Sequence, residues 1–192
     1  FYLDDYSSIL DNNHIKQIDI ARIIEAQPFR WVVYSTFAFN YHFSQFELIP
    51  LHLTNIFIHG LTSVVFFFTL KLLLQKTEVH LDSKYLLLAS VLFALIFAVH
   101  PINSQAVTYI VQRTASLVGL FYIFSVFCYL KMRTSANVKA GLSYLALFLL
   151  TFIVALMTKQ NAFAIPLTLF TLELTVLKLS GKAIKNVVGW GT

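Results

Sequence analysis

Five long apolar runs, each closed by a short polar stretch, dominate the chain: Leu51–Leu74, Tyr85–Val99, Ser116–Met132, Ala140–Met157 and Ala162–Leu179. About 20 apolar residues suffice to cross a bilayer as a helix, so four of these runs are long enough or nearly so. Tyr85–Val99 is shorter. At about 1.5 Å per residue it falls below a hydrocarbon core of about 30 Å, unless it gains a turn on the Asp82–Lys84 side. The first 50 residues follow another pattern. Asp11-Asn12-Asn13 has turn chemistry, Ile20, Ile23 and Ile24 recur at helical spacing, and Phe29 to Phe46 is aromatic and weakly polar. The pattern predicts an all-α, polytopic transmembrane helix bundle of about five spans. A short amphipathic helix around residues 20–25 precedes it on the outer face, lying at the membrane surface. Trp31, Tyr34 and Tyr41 are of the type that anchors at an interface.

Composition supports this reading. Of 192 residues, 58% are hydrophobic and only 12% charged, whereas soluble domains have about 25% charged residues. The net charge of +5 is therefore not a nucleic-acid footprint; the cations sort by membrane side. Lys71, Lys76, Lys84, Lys131, Arg133, Lys139, Lys178, Lys182 and Lys185 flank three alternate loops, which the positive-inside rule makes cytoplasmic. Lys16, Arg22, Arg30, Arg113 and Lys159 fall on the outer side. The single cysteine, Cys128, lies within an apolar run, so no disulfide framework or thiolate metal cluster is expected. Residues 1–50 read as a first outer loop and 51–192 as the bundle. The absence of an initiator Met or signal peptide suggests a piece truncated at both ends.

Three outer segments carry candidate chemistry. His100-Pro101 through Arg113 is a polar hinge between two uncharged apolar runs, and polar backbone at that depth must face the surface or line a cavity. Pro101 cannot continue the preceding helix and biases His100 away from helical geometry. His100, Asn103, Gln105 and Tyr109 offer hydrogen bonds to a substrate, and Arg113 offers a cation to a phosphate; an ordinary interhelical turn would use the same residue types. Asp4-Asp5, on the same predicted side, supplies carboxylates able to act as a general base, although a solvated loop often contains such a pair. Lys159-Gln160-Asn161 is a third outer turn with a lysine at the boundary. His52 and His59 lie seven apart with no carboxylate at ligand spacing, so they are read as interhelical hydrogen-bonding groups rather than metal ligands. Glu173 is an acid within an apolar run, expected to snorkel or to pair with a neighbouring helix.

The order Phe1-Tyr2-Leu3-Asp4-Asp5, Asp11-Asn12-Asn13, Phe29-Arg30, Phe39-Asn40-Tyr41, Leu51-His52-Leu53-Thr54-Asn55-Ile56-Phe57-Ile58-His59, His100-Pro101 to Tyr109-Ile110-Val111-Gln112-Arg113 and Met157-Thr158-Lys159 resembles one family across nearly the whole chain. It is that of GT-C-type polytopic glycosyltransferases related to protein O-mannosyltransferases, in the branch with C-terminal tetratricopeptide repeats. The resemblance implies transfer of a sugar from a polyprenyl-phosphate donor to a hydroxyl acceptor, often Ser or Thr of a protein, outside the cytoplasm. It further implies that Asp4 and Asp5 are catalytic and that Arg113, Lys159 and Arg30 bind the donor phosphate. A bacterial inner membrane, with the site facing the periplasm, is the expected location. Gln105, Ala115 and Gln160 stand where the family often has acids. No cofactor is firmly implied, and these departures put any divalent-metal requirement in doubt. They also leave room for an alternative, a non-catalytic membrane scaffold subunit of an envelope or surface-filament assembly. A transporter is disfavoured by the lack of paired broken helices carrying midplane charges.

Overall fold

A computed structural model describes residues 1, 4–77 and 82–177, and among these the chain is helical throughout, without strands. The helices are α1 (Ile20–Ala26), α2 (Trp31–Ser44), α3 (Leu48–Leu74), α4 (Ser83–Val99), α5 (Ser104–Thr108), α6 (Arg113–Thr134), α7 (Val138–Leu156) and α8 (Ile165–Thr175), with single-turn pieces at Tyr6–Leu10, Asn13–Ile15, Pro101–Asn103 and Gln160–Ala164. Three of them, α3, α6 and α7, are long and apolar enough to cross a membrane. A fourth crossing exists if α4 is taken with Pro101–Thr108, across a bend of 47°. The chain is thus an all-α, multi-pass membrane bundle. The expected fifth span is represented by the 11 residues of α8; its remainder, with Lys178, Lys182 and Lys185, lies outside the described residues.

Local chemistry sets the boundaries. His100 is extended (φ −64°, ψ 128°), as a residue before proline must be, and its Nδ1 accepts from Ile102 N–H at 3.1 Å. Pro166 sits in the first turn of α8, where a missing N–H costs nothing. Asn137 and Asp19 cap α7 and α1 with side-chain oxygens, supplying acceptors to otherwise unpaired amides. Between α2 and α3 the chain reverses at Gln45 with φ 50°.

The central element is α6. One core joins Ile9, Ile15, Ile23, Val33, Phe37, Leu51 and Ile58 to Ile110, Leu117 and Leu120, so the N-terminal segment packs onto the N-terminal halves of α3 and α6. A second core joins Val118, Val126 and Leu130 of α6 to Ala155, Ala162, Ile165 and Leu169. Polar seams cross the same helices: Ser125 Oγ donates to Thr151 Oγ1 at 2.9 Å, and Tyr122 bonds Thr168. Arg133 pairs with both oxygens of Glu173 (2.5 and 2.9 Å), to which Tyr129 also donates. Glu173 therefore pairs with a neighbouring helix rather than snorkelling. Leu92, Phe93 and Ile96 on α4, and Leu142, Leu150 and Ile153 on α7, are exposed, as suits surface facing lipid rather than water.

One expectation for the N-terminal region changes, that for Tyr34. On α1, Ile23 is buried against α2 while Ile20 and Ile24 are exposed. Spacing identifies a helical face but not which part of it a neighbour covers. Tyr34, expected as an interfacial anchor, turns inward beside Phe37.

Candidate functional site

The hinge meets one member of the acidic pair. Asp5, almost wholly buried, accepts through Oδ1 from the backbone N–H of Val111 at 2.8 Å. It lines a cleft of about 400 Å³ with Phe1, Leu48, His52, Thr108 and Ile110. Asp4 is exposed. A carboxylate held by a backbone amide at the edge of a cleft has a fixed orientation and can receive a proton from a hydroxyl seated there.

The hinge is itself fastened from α3. His52 Nδ1 lies 3.4 Å from Val107 O, Asn55 Nδ2 donates to Tyr109 O at 3.1 Å, and His59 Nε2 lies 3.0 Å from Ala98 O. Asn103 Nδ2 donates to Phe97 O at 2.8 Å, closing the bend. The expected hydrogen-bonding residues divide between two places. Asn103 and Gln105 line a second cleft of about 450 Å³ with His59, Gln112, Ser116 and Tyr122, a set that is polar but carries no formal charge when His59 is neutral. His100 is exposed and spends Nδ1 on capping its own turn. Tyr109 is half-buried, its carbonyl taken by Asn55.

The three expected phosphate ligands differ sharply. Arg113 has no exposed surface. Its Nε donates to Asn55 Oδ1 (2.8 Å), Nη1 to Asn40 Oδ1 (2.6 Å) and Thr36 O (3.3 Å), and Nη2 to Leu51 O (3.0 Å). The guanidinium also stands 4.4 Å from the Phe37 ring centroid. A buried charge must be satisfied locally. Here neutral oxygens do so, and the fork that was expected to meet a phosphate is enclosed by protein. Lys159 is half-buried at the start of the Gln160–Ala164 turn. That turn closes the end of the α6–α7 pair at which α6 begins, because a three-residue connection makes the two helices antiparallel. Arg30 is exposed, and its carbonyl accepts from Val33 and Tyr34 at the head of α2.

Asn40, Thr36 and Asn55 were not among the site residues expected from sequence. The available signal was polarity: Asn55 is an amide inside a 24-residue apolar run, where an unpaired polar group is costly and normally has a partner.

A multi-pass helical membrane protein with a carboxylate-bearing cleft is the class that fold and site define. The chain is similar to proteins that bear the name Protein O-mannosyl-transferase. It is 29% identical over 172 residues to Protein O-mannosyl-transferase TMTC3 of Homo sapiens, covering 82% of this chain and 17% of that protein. It is 32% identical over 123 residues to Protein O-mannosyl-transferase TMTC4 of Mus musculus, covering 60% of this chain and 16% of that protein. The chain thus spans about one sixth of the length of these curated relatives. No family model and no solved structure matches it.

Proposed function

We propose that this chain forms the outer-face catalytic region of a membrane glycosyltransferase that moves a sugar, mannose by analogy with its relatives, from a polyprenyl phosphate to a protein hydroxyl. The observation that carries the reading is Asp5, buried, oriented by Val111 N–H and lining a cleft beside the hinge. In the reaction the acceptor hydroxyl gives its proton to the carboxylate as its oxygen attacks the anomeric carbon. The bond from that carbon to the phosphate oxygen breaks, and the lipid phosphate leaves as an anion. Cations at the same face stabilise the developing charge. Lys159 and Arg30 take that role, since their side chains are not enclosed as Arg113 is. Asn103 and Gln105, with uncharged polar neighbours, suit hydroxyl groups of a sugar. Asp4, exposed beside Asp5, assists from the aqueous side.

The test uses membranes containing the full-length protein, offered either radiolabelled polyprenyl-phosphate mannose or the corresponding nucleotide sugar in lipid-free form. Label passing to protein from the lipid donor alone, and lost with Asp5→Asn, supports the reading. Transfer from the nucleotide sugar without lipid overturns the donor assignment. No transfer from either, with the protein intact in the membrane, favours the scaffold alternative.

A further inference from the structure

Arg113 and Asn55 are both without exposed surface, yet the chemistry above uses neither. Asn55 is a two-way clamp. Its Oδ1 accepts from Arg113 Nε at 2.8 Å, while Nδ2 donates to Tyr109 O at 3.1 Å and approaches Ile110 O at 3.5 Å. The next amide along, Val111 N–H, is the one that Asp5 accepts from. Arg113 in turn is anchored to α2 through Asn40 and Thr36 and to α3 through Leu51 O. Two helices thereby fix the position of a single loop amide.

We propose that Asn55 and Arg113 are positioning residues for Asp5, holding the Tyr109–Val111 segment so that Val111 N–H orients the carboxylate towards the cleft. The assignment rests on the reading of Asp5 as the acceptor's base, but its structural half can be tested separately. The arrangement makes Asn55 the discriminating position. Asn55→Asp is nearly isosteric and keeps an oxygen for Arg113 Nε, so α3, α2 and α6 stay joined. It loses only the donor to Tyr109 and Ile110, and places a carboxylate oxygen against their carbonyls.

The experiment is hydrogen exchange by mass spectrometry on the full-length protein in nanodiscs, with steady-state transfer from polyprenyl-phosphate mannose measured on the same samples. Asn55→Asp is expected to lose amide protection in residues 107–112 while α3 and the body of α6 keep theirs. Its kcat is expected to fall by about a hundredfold, the scale on which a misplaced catalytic group costs rate, with donor KM within about twofold of the parent. Asn55→Leu, which also strips Arg113 of an acceptor, is expected to loosen α6 as well. Unchanged protection in 107–112 overturns the proposal, as does protection loss spreading along α3 and α6 in Asn55→Asp. Undiminished kcat with a loosened segment overturns the positioning role. If Asp5→Asn transfers sugar as well as the parent, the reading of Asp5 fails instead, and the exchange result still decides whether Asn55 holds the loop.

Discussion

Asp5 and Val111 are 106 residues apart in sequence and joined by one 2.8 Å hydrogen bond, the carboxylate accepting from the backbone amide. That bond brings the start of the chain onto the turn between α5 and α6. Around it lie the hinge, the α3 residues that fasten it and the cleft. It also explains why the N-terminal segment shares a core with α3 and α6: a carboxylate can be oriented only if both ends of its hydrogen bond are packed.

Arg113 holds the bundle together, so replacing it should cost stability before it costs donor affinity. Arg113→Met leaves the oxygens of Asn40, Asn55, Thr36 and Leu51 without their donor. Each buried oxygen left without its donor costs about 1–3 kcal/mol. The expected outcome is a strong loss of folded protein in detergent, measured by thermal aggregation. Arg113→Lys recovers only part of it, because an ammonium cannot reproduce the planar fork.

Lys159 should behave in the opposite way. It is half-buried at the start of the Gln160–Ala164 turn, and its substitution is expected to leave thermal stability within about 0.5 kcal/mol of the parent, as for surface changes generally. Lys159→Gln should raise the apparent KM for the lipid-phosphate donor about tenfold, the effect of losing about 1.4 kcal/mol of binding. Lys159→Arg should retain most of the affinity. Titrating donor at fixed acceptor concentration reads both.

The contrast between these two cations shows what the sequence makes legible. Apolar runs and the bend after His100 follow from hydropathy and a proline, and both appear in the fold, with Asp5 beside the hinge. The role of Arg113 does not. A cation at the head of an apolar run reads identically whether it faces a headgroup or plugs a gap between helices. The difference lies in Asn40, Thr36 and Asn55, which converge on it only after α2 and α3 have packed. The same limit applies to α1, where three isoleucines share a face but α2 covers only Ile23.

At the other end of the bundle, Glu173 bridges α8 to Arg133 and Tyr129 of α6. Glu173→Gln keeps the shape but removes the charge, and is expected to lower stability by about 1.5–3 kcal/mol, the range for hydrogen bonds to charged groups. Because this cluster lies at the far end of α6 from Asp5, donor and acceptor KM should not move. Parallel melting and kinetic measurements separate the two effects.

Gln45 adopts φ 50° and ψ −128° at the end of α2, a conformation that glycine enters freely and a side chain does not. Gln45→Gly is expected to stabilise the protein by about 1 kcal/mol or more, within the range associated with such backbone strain. A higher melting temperature without altered transfer is the expected result.

The most direct test of the central claim is the intact mass of exported proteins from cells carrying the full-length gene, compared with cells carrying Asp4→Asn/Asp5→Asn. Asparagine keeps an oxygen for Val111 N–H, so the mutant should remain folded in the membrane while losing its base, a loss of about 10²–10⁴ in rate. The account predicts that hexose-sized increments present on acceptor proteins disappear in the mutant. Increments that persist unchanged, with the mutant protein at parental abundance, would contradict it.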